Sequence, residues 1–242
     1  MTRRIPAALF LLVLLGSCSP AETPDTATTA DAAVTTSTEL ESSRQRIELG
    51  DAEAQFNLAL MYYRGEGVSQ NDTQAASWYR KAAEQGHASA QVSLGVMYFR
   101  GQGVPQDFTQ AMTWFRQAAD LGDAAGQGAL GYMYNTGHSV RRDDVEALKW
   151  YRLSADQGDA TAQSSLGRMY FKGLGIPQDF VNSHKWYNLA ASNAPDEELG
   201  IYAPQDYAEN RERVAKLMTP AQIAEAQQLA REWQAAFEAR QE

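Results

Sequence analysis

The chain has 242 residues, of which 44% are hydrophobic and 21% are charged, and its formal net charge is −9. An acidic chain of this kind is a poor ligand for nucleic acid, because binding to a phosphate backbone depends on clustered lysine and arginine. The single cysteine excludes an intramolecular disulfide. We therefore expect a fold held by apolar packing and no nucleic-acid partner.

The first 17 residues have the pattern of an export signal. Arg3 and Arg4 precede an apolar run at 7–15, which is too short to span a bilayer as a mature helix. Removal of residues 1–17 changes the formal charge from −9 to −11, because Arg3 and Arg4 are the only charged residues in it. We predict that 1–17 is a cleaved signal peptide and that the protein is exported.

The only cysteine follows this signal directly. The string Leu15-Gly16-Ser17-Cys18 resembles the lipobox of bacterial lipoproteins, in which the cysteine is lipidated and becomes the mature N-terminus. The resemblance implies a lipid anchor at Cys18, and Ser19 behind it implies an outer-membrane lipoprotein that faces the periplasm. The alternative is an ordinary cleaved signal with an incidental cysteine, which leaves a soluble periplasmic or secreted protein.

Residues 18–38 continue from this cysteine without apolar periodicity. They are rich in Thr, Ala, Asp and Pro, a composition that buries too little apolar surface to fold. We predict that the segment is a disordered tether between the lipidated cysteine and the folded part of the chain.

A phrase of 36 residues then recurs four times without a gap, at 50–85, 86–121, 122–157 and 158–193. A fixed period in this range is typical of a solenoid, in which each unit buries its apolar face against its neighbours. Within each phrase, a Leu-x-x-Met-Tyr stripe is followed by a second helical stretch with a Trp-aromatic pair. The sequence therefore predicts an all-α fold, an α/α solenoid of four helix-turn-helix units.

The junctions inside each unit have their own signals. Glycine ends the first helix in a position that suits left-handed backbone. These glycines are Gly65, Gly101, Gly137 and Gly173. Small residues beside the stripe are expected to let the two helices of a unit approach closely. They are Ala59, Gly95, Gly131 and Gly167. Capping residues begin the second helix. They are Asn71, Asp107, Asp143 and Asp179.

The combined pattern is A-x-x-x-L-G-x-M-Y-x-x-G-x-G-V-P-x-D followed by A-x-x-W-Y-x-x-A-A-x-x-G. Over residues 50–193 it resembles the Sel1-like repeat family, a relative of tetratricopeptide repeats. The resemblance implies an α/α solenoid that acts as an adaptor and binds a partner protein. Members of the family include bacterial envelope proteins that engage partner proteins.

The array is predicted to end in caps. Residues 39–49 occupy the place of a preceding second helix, with Ser42 and Ser43 where the aromatic pair stands in the units. A polar face of this kind suits a terminal unit. Residues 194–242 are expected to hold a loop and two C-terminal capping helices, at about 206–217 and 220–239.

By analogy with tetratricopeptide solenoids, the first helices line the concave face, and their remaining columns point into a groove. Positive charge lies beside aromatic side chains there, and arginine pairs with carboxylates while rigid aromatics anchor peptides. We predict that this groove binds a partner segment with acidic side chains or a free C-terminus. The candidate groove residues are Phe56, Leu60, Tyr63, Arg64, Val96, Phe99, Arg100, Tyr132, Asn135, Arg168, Phe171 and Lys172.

An alternative explains the same cations without a partner. Lysine and arginine at the end of a helix complement its partial negative charge, and they also pair with carboxylates in the following loop. The third unit leaves a second question open, because Ser139 replaces the second glycine and Arg141 replaces the proline. With His138, Arg141 and Arg142 exposed, its turn is either a hinge or specificity patch, or a tolerant loop that has drifted.

No catalytic, cofactor or metal site is predicted. His87, His138 and His184 fall at different positions of the repeat and lack metal-ligand spacing. We therefore predict a monomeric scaffold or adaptor at the bacterial cell envelope, with an unidentified protein partner. The alternatives are a binder of peptidoglycan fragments or another small anionic ligand, and an enzyme that modifies the cell wall.

Overall fold

The computed structural model describes residues 45–193 and 207–241. The helices of the four units are α1 (Ala52–Arg64), α2 (Asp72–Glu84), α3 (Ala88–Arg100), α4 (Phe108–Asp120), α5 (Ala124–Thr136), α6 (Asp144–Ala155), α7 (Ala160–Lys172) and α8 (Phe180–Ser192). They are followed by α9 (Tyr207–Ala215) and α10 (Pro220–Glu238). The prediction of an all-α solenoid with four helix-turn-helix units is confirmed.

Several predictions from the sequence lie outside the described residues. They are the signal peptide at 1–17, the lipidated Cys18, the tether at 18–38, residues 39–44 of the N-terminal cap and residues 194–206 of the loop behind the fourth unit. Residues 45–48 of the predicted cap are helical.

Local chemistry explains where the helices of a unit begin and end. The carboxylate of Asp51 accepts a hydrogen bond from the backbone N–H of Ala54 at 2.8 Å and so caps α1. Gly65 ends α1 with a φ of 73°, in the left-handed region that glycine adopts without steric cost. The glycines and second-helix caps predicted at these junctions are confirmed in all four units.

The two helices of a unit meet where the sequence places its smallest residues. A Cβ atom on Gly95 would lie 2.5 Å from the ring of Phe115, and one on Gly131 would lie 2.7 Å from the ring of Tyr151. Any larger side chain there forces a ring or a helix to move, because protein interiors are close-packed. The prediction that small residues allow this close approach is confirmed.

The units stack so that their first helices lie on the inner side of the curve. From α1 to α9, each helix packs on its neighbour in the chain, and α3 also contacts α5, as α5 contacts α7. The second helices of successive units contact each other less. The first helices of the second, third and fourth units therefore lie closer together than the second helices do, which agrees with the expected concave surface on the side of α1, α3, α5 and α7.

A hydrogen bond between neighbouring units recurs along the solenoid. In each case an arginine Nη2 on a second helix donates to a tyrosine hydroxyl on the first helix of the next unit. The pairs are Arg80–Tyr98, Arg116–Tyr134 and Arg152–Tyr170. The last two bonds are 2.8 and 2.6 Å long. These bonds connect successive units in addition to the apolar packing between them, and they were not predicted from the sequence.

The two C-terminal helices pack against α8. Trp233 of α10 meets Trp186 of α8 edge to face, with ring centroids 6.0 Å apart. Thr219 and Gln222 form the reciprocal capping box that begins α10. Among the helices that the structure describes, none has the length and apolar character needed to cross a lipid bilayer.

Candidate functional site

An open cleft lies between α1 and α3 on the concave surface, across the first two units. Its volume is about 170 Å³. It is lined by Phe56, Leu60, Tyr63, Arg64, Tyr79, Val92, Ser93, Val96, Met97 and Arg100. Half of the predicted groove residues come together here. They are Phe56, Leu60, Tyr63, Arg64, Val96 and Arg100.

The walls of the cleft are apolar and held in place. Tyr79 and Met97 form its floor and are 2% and 1% exposed. Burial raises the pKa of Tyr79 to about 12, so its hydroxyl is neutral at neutral pH. Phe56 stacks on His87 with ring centroids 4.6 Å apart, and the Nε2 atom of His87 lies 2.9 Å from a carboxylate oxygen of Glu53. The cleft therefore has a preformed aromatic wall.

Two arginines mark one end of the cleft. Arg64 and Arg100 are the last residues of α1 and α3, where the partial negative charge of the helix end favours a cation. The Nη1 atom of Arg64 also lies 3.6 Å from a carboxylate oxygen of Glu66. Arg64 thus complements the end of its helix and also pairs with a carboxylate in the following loop, as expected from the alternative that needs no partner. An exposed pair of this kind contributes only about 0–1 kcal/mol, so a ligand carboxylate can replace Glu66 at little cost.

A second pocket, called here the basic pocket, lies at the other end of the array. It has a volume of about 180 Å³. It is lined by Arg168, Phe171, Lys172, Tyr187, Asn210, Arg213 and Val214. Arg168, Phe171 and Lys172 were predicted as groove residues. Asn210, Arg213 and Val214 lie on α9, which the sequence predicted only as a capping helix and not as part of a site. The charged run around Asn210 and Arg213 was the available signal.

Phe99 and Tyr132 line neither of these pockets. They belong to an aromatic cluster with Phe108 and His138. The ring centroids of Phe99 and Phe108 are 5.1 Å apart, and those of Phe108 and His138 are 4.7 Å apart. Tyr132 lies edge-on to Phe99 at 5.7 Å. These rings fill the space between the second and third units with their own side chains.

Asn135 is buried, and both ends of its amide are engaged. Its Nδ2 donates to Asp144 at 2.8 Å, and its Oδ1 accepts from Nη2 of Arg168 at 2.7 Å. Hydrogen bonds from Arg142 and Asn135 lower the pKa of Asp144 against the opposing effect of burial, so the carboxylate stays charged. Asn135 therefore joins the third and fourth units.

The turn of the third unit is bound to its neighbours. Ser139 has a φ of 65°, and its hydroxyl lies 3.1 Å from that of Thr109. Arg142 binds Asp144 at 2.8 Å. Arg141 and Arg142 are exposed as expected, but the expectation for His138 is wrong, because its ring is half-buried in the aromatic cluster. One hydrogen bond therefore joins this turn to the second unit, while the exposed Arg142–Asp144 pair lies within the third unit.

Among the described residues, no three His, Cys, Asp or Glu side chains gather closely enough to hold a metal ion. Four successive segments, 52–87, 88–123, 124–159 and 160–195, match the Sel1 repeat. The chain belongs to the Sel1 repeat family. Sel1-repeat proteins generally mediate interactions between proteins, and the scaffold is typically not enzymatic.

The solved structures that are similar to this Sel1-repeat protein include the following two. One is a protective antigen of uropathogenic Escherichia coli strains with an SLR fold, at 42% identity and a TM-score of 0.60; the match covers 64% of this chain and 33% of that one. The other is a Sel1 repeat protein from Oxalobacter formigenes, at 33% identity and a TM-score of 0.60, covering 72% of this chain and 75% of that one. This chain thus spans about a third of the length of the E. coli antigen. No curated protein matches it significantly.

Proposed function

We propose that this protein is an adaptor that binds a segment of a partner protein in the cleft between α1 and α3. The observation that carries the proposal is the combination of an apolar cleft with two arginines at one end. Membership of the Sel1 repeat family supports a protein partner.

The dimensions of the cleft suit an anchor for a few side chains. A volume of about 170 Å³ equals that of about six water molecules, so the cleft holds one or two side chains of the partner. Burial of one large apolar side chain contributes about 1.5–3 kcal/mol. A carboxylate placed between Arg64 and Arg100 adds charge-assisted hydrogen bonds and fixes the direction of the segment. The preferred ligand is therefore an apolar residue followed closely by an acidic one.

We also propose that the protein is a monomeric outer-membrane lipoprotein, anchored through Cys18 and facing the periplasm. The anchor and the location rest on the signal and lipobox strings of the sequence. Metabolic labelling with a radioactive fatty acid tests it. Label in the natural protein and none in the Cys18→Ala variant supports the anchor, whereas an unlabelled natural protein in the soluble periplasmic fraction excludes it.

Site-specific photo-crosslinking tests the partner. A photoreactive phenylalanine analogue at Tyr63 places the reactive group in the cleft, and the same analogue at Lys149, on the outer side of α6, is the control. Adducts formed in intact cells are identified by mass spectrometry. The proposal predicts a discrete protein adduct from position 63 only. Adducts from position 149 alone would place the binding face on the convex side and contradict it.

Charge reversal then tests whether the two arginines are needed for binding while the fold is kept. Arg64→Glu with Arg100→Glu is expected to lose the adduct while the circular dichroism spectrum stays helical. Arg141→Glu with Arg231→Glu changes the net charge equally and is expected to keep the adduct. If muropeptides raise the melting temperature and no adduct forms, a binder of wall fragments replaces the adaptor.

A further inference from the structure

The basic pocket brings cations from two different elements to one place. Arg168 and Lys172 lie one turn apart on α7, and Arg213 approaches from α9. In a chain with a formal charge of −9, three cations around a space of about 180 Å³ form a local positive site. Like charges held this close repel each other, so an anion between them is favoured.

The hydrogen bonds of the pocket leave donor capacity for such an anion. Arg168 gives one Nη2 hydrogen bond to Asn135, which uses one of the five N–H donors of its guanidinium group. Arg213 lies 3.5 Å from Glu209, and the two side chains are 63% and 65% exposed. Such an exposed pair is weak and exchanges readily. Arg168 is thus held by Asn135 and also interacts with the charge of Asp144, whereas Arg213 has only an exposed and weak ion pair.

The other wall of the pocket is apolar. Val214 is 1% exposed and Tyr187 is 4% exposed, so both form a solid floor, and Phe171 adds a half-buried ring. Burial raises the pKa of Tyr187 to about 12, against the opposing effect of Arg168 and Arg213. The floor is therefore uncharged at neutral pH. A bare inorganic anion uses the cations but gains nothing from this wall.

We propose that the basic pocket binds the C-terminal residue of a peptide. The free α-carboxylate lies between Arg168, Lys172 and Arg213, and an apolar terminal side chain packs on Phe171 and Val214. The amide of Asn210 is the polar group available to the peptide backbone. The volume, that of about six water molecules, suits one residue of this kind.

This site is separate from the cleft of the proposed function, since the two share no lining residue. Failure of one proposal therefore leaves the other untouched. Arg64→Glu with Arg100→Glu removes the cations of the cleft and is expected to leave binding in the basic pocket unchanged.

The test is an NMR titration of the isotope-labelled protein with acetyl-Gly-Ser-Ala-Leu, used as the free acid and as the C-terminal amide. The free acid is expected to shift the backbone amide signals of Phe171 and Asn210. The amide form is expected to bind at least about tenfold more weakly, the factor associated with one charge-assisted hydrogen bond. Equal binding of the two forms would overturn the proposal.

Matched variants locate the effect. Arg213→Gln and Lys172→Gln are both exposed positions and are expected to weaken binding of the free acid about tenfold each. Arg231→Gln removes the same charge from an exposed position of α10 and is expected to change nothing. An equal loss of affinity for the free acid in Arg231→Gln and Arg213→Gln would mean that only the net charge of the protein matters, and it would contradict the proposal. Inorganic phosphate that binds as tightly as the peptide would also overturn the proposal, because the apolar wall would then contribute nothing.

Discussion

Arg116 and Tyr134 are joined across a unit boundary by a hydrogen bond of 2.8 Å. The guanidinium also lies 5.2 Å from the ring centroid of Trp150, so one arginine contacts both helices of the next unit. Since two other boundaries repeat the arginine–tyrosine pair, it is a structural constant of this array.

Loss of the hydroxyl in Tyr134→Phe is expected to lower the free energy of unfolding by about 1 kcal/mol, the usual net value of one hydrogen bond. Urea unfolding measures it. The double variant Arg116→Gln with Tyr134→Phe completes a mutant cycle, which is expected to show coupling of about 0.5 kcal/mol or more. Additive effects would mean that the bond does not connect the units energetically.

A second prediction concerns the glycines of the turns. Gly103 and Gly67 have similar φ values, 67° and 73°, but different surroundings. A Cβ atom on Gly103 would lie 2.2 Å from the backbone oxygen of Asp72 in the preceding unit, whereas one on Gly67 meets only the flexible end of Met61, at 3.3 Å. Gly67→Ala therefore carries only the left-handed cost of about 1–2 kcal/mol.

Gly103→Ala carries that cost and a backbone clash as well. It is expected to be the less stable of the two variants in urea unfolding, by an additional 1 kcal/mol or more, roughly the cost of overpacking. Equal losses in both variants would show that the units do not need this close contact.

The hydrogen bonds of Asn135 predict that its removal lowers the stability of the protein. Asn135→Ala leaves Arg168 and Asp144 without one partner each, which is expected to cost about 1–3 kcal/mol of stability. Asn57→Ala, at an exposed position of α1 where the amide has one long hydrogen bond of 3.5 Å to Glu53, is the matched control and is expected to cost less than half as much. A stable Asn135→Ala variant would instead favour the role in partner binding that the sequence suggested.

His184 predicts a dependence of stability on pH. Its side chain is 3% exposed, and burial, followed by the charge of Arg211, lowers its pKa below the ordinary value of 6.5. The unfolded chain therefore binds a proton more readily than the folded one. This contribution to stability is complete above 6.5 and is lost as the pH falls through the folded-state pKa.

The free energy of unfolding is thus expected to decrease from about pH 7.5 to about pH 5.5. In His184→Met this decrease is expected to be smaller, because the titrating group is gone. Urea unfolding of both proteins at several pH values measures the two slopes. Parallel slopes would assign the pH dependence to other groups.

Much of this fold follows from local signals. Gly65 ends α1 and Asn71 begins α2 through the conformation and hydrogen bonds of a few neighbouring residues, so the sequence alone predicts them. The contact of Arg116 with Tyr134 depends on how two units stack. Both residues recur with the repeat, but that recurrence does not show that their side chains meet. The fold was predictable for this reason, while the bonds between units were not.

The candidate site was predictable only in part, for a similar reason. The repeat places Phe56, Tyr63 and Arg64 in columns, and the structure brings these together in the cleft. The same columns contain Phe99 and Asn135. Phe99 packs against His138, however, and Asn135 donates a hydrogen bond to Asp144, so both side chains serve the packing of the units. Arg213 lies outside the repeat, so no column indicates it. The repeat predicts where a residue lies in its unit, whereas the side chains packed around it determine whether it is accessible to a ligand.

The aromatic cluster around Phe99 and His138 has a consequence for any partner. It lies in the second and third units, between the cleft of the first two units and the basic pocket of the fourth. A partner that uses both ends must therefore carry two short motifs joined by a spacer. The second contact is then intramolecular, and its strength depends on the length and stiffness of that spacer. Such a solenoid selects a partner by the separation of its two motifs as well as by their chemistry.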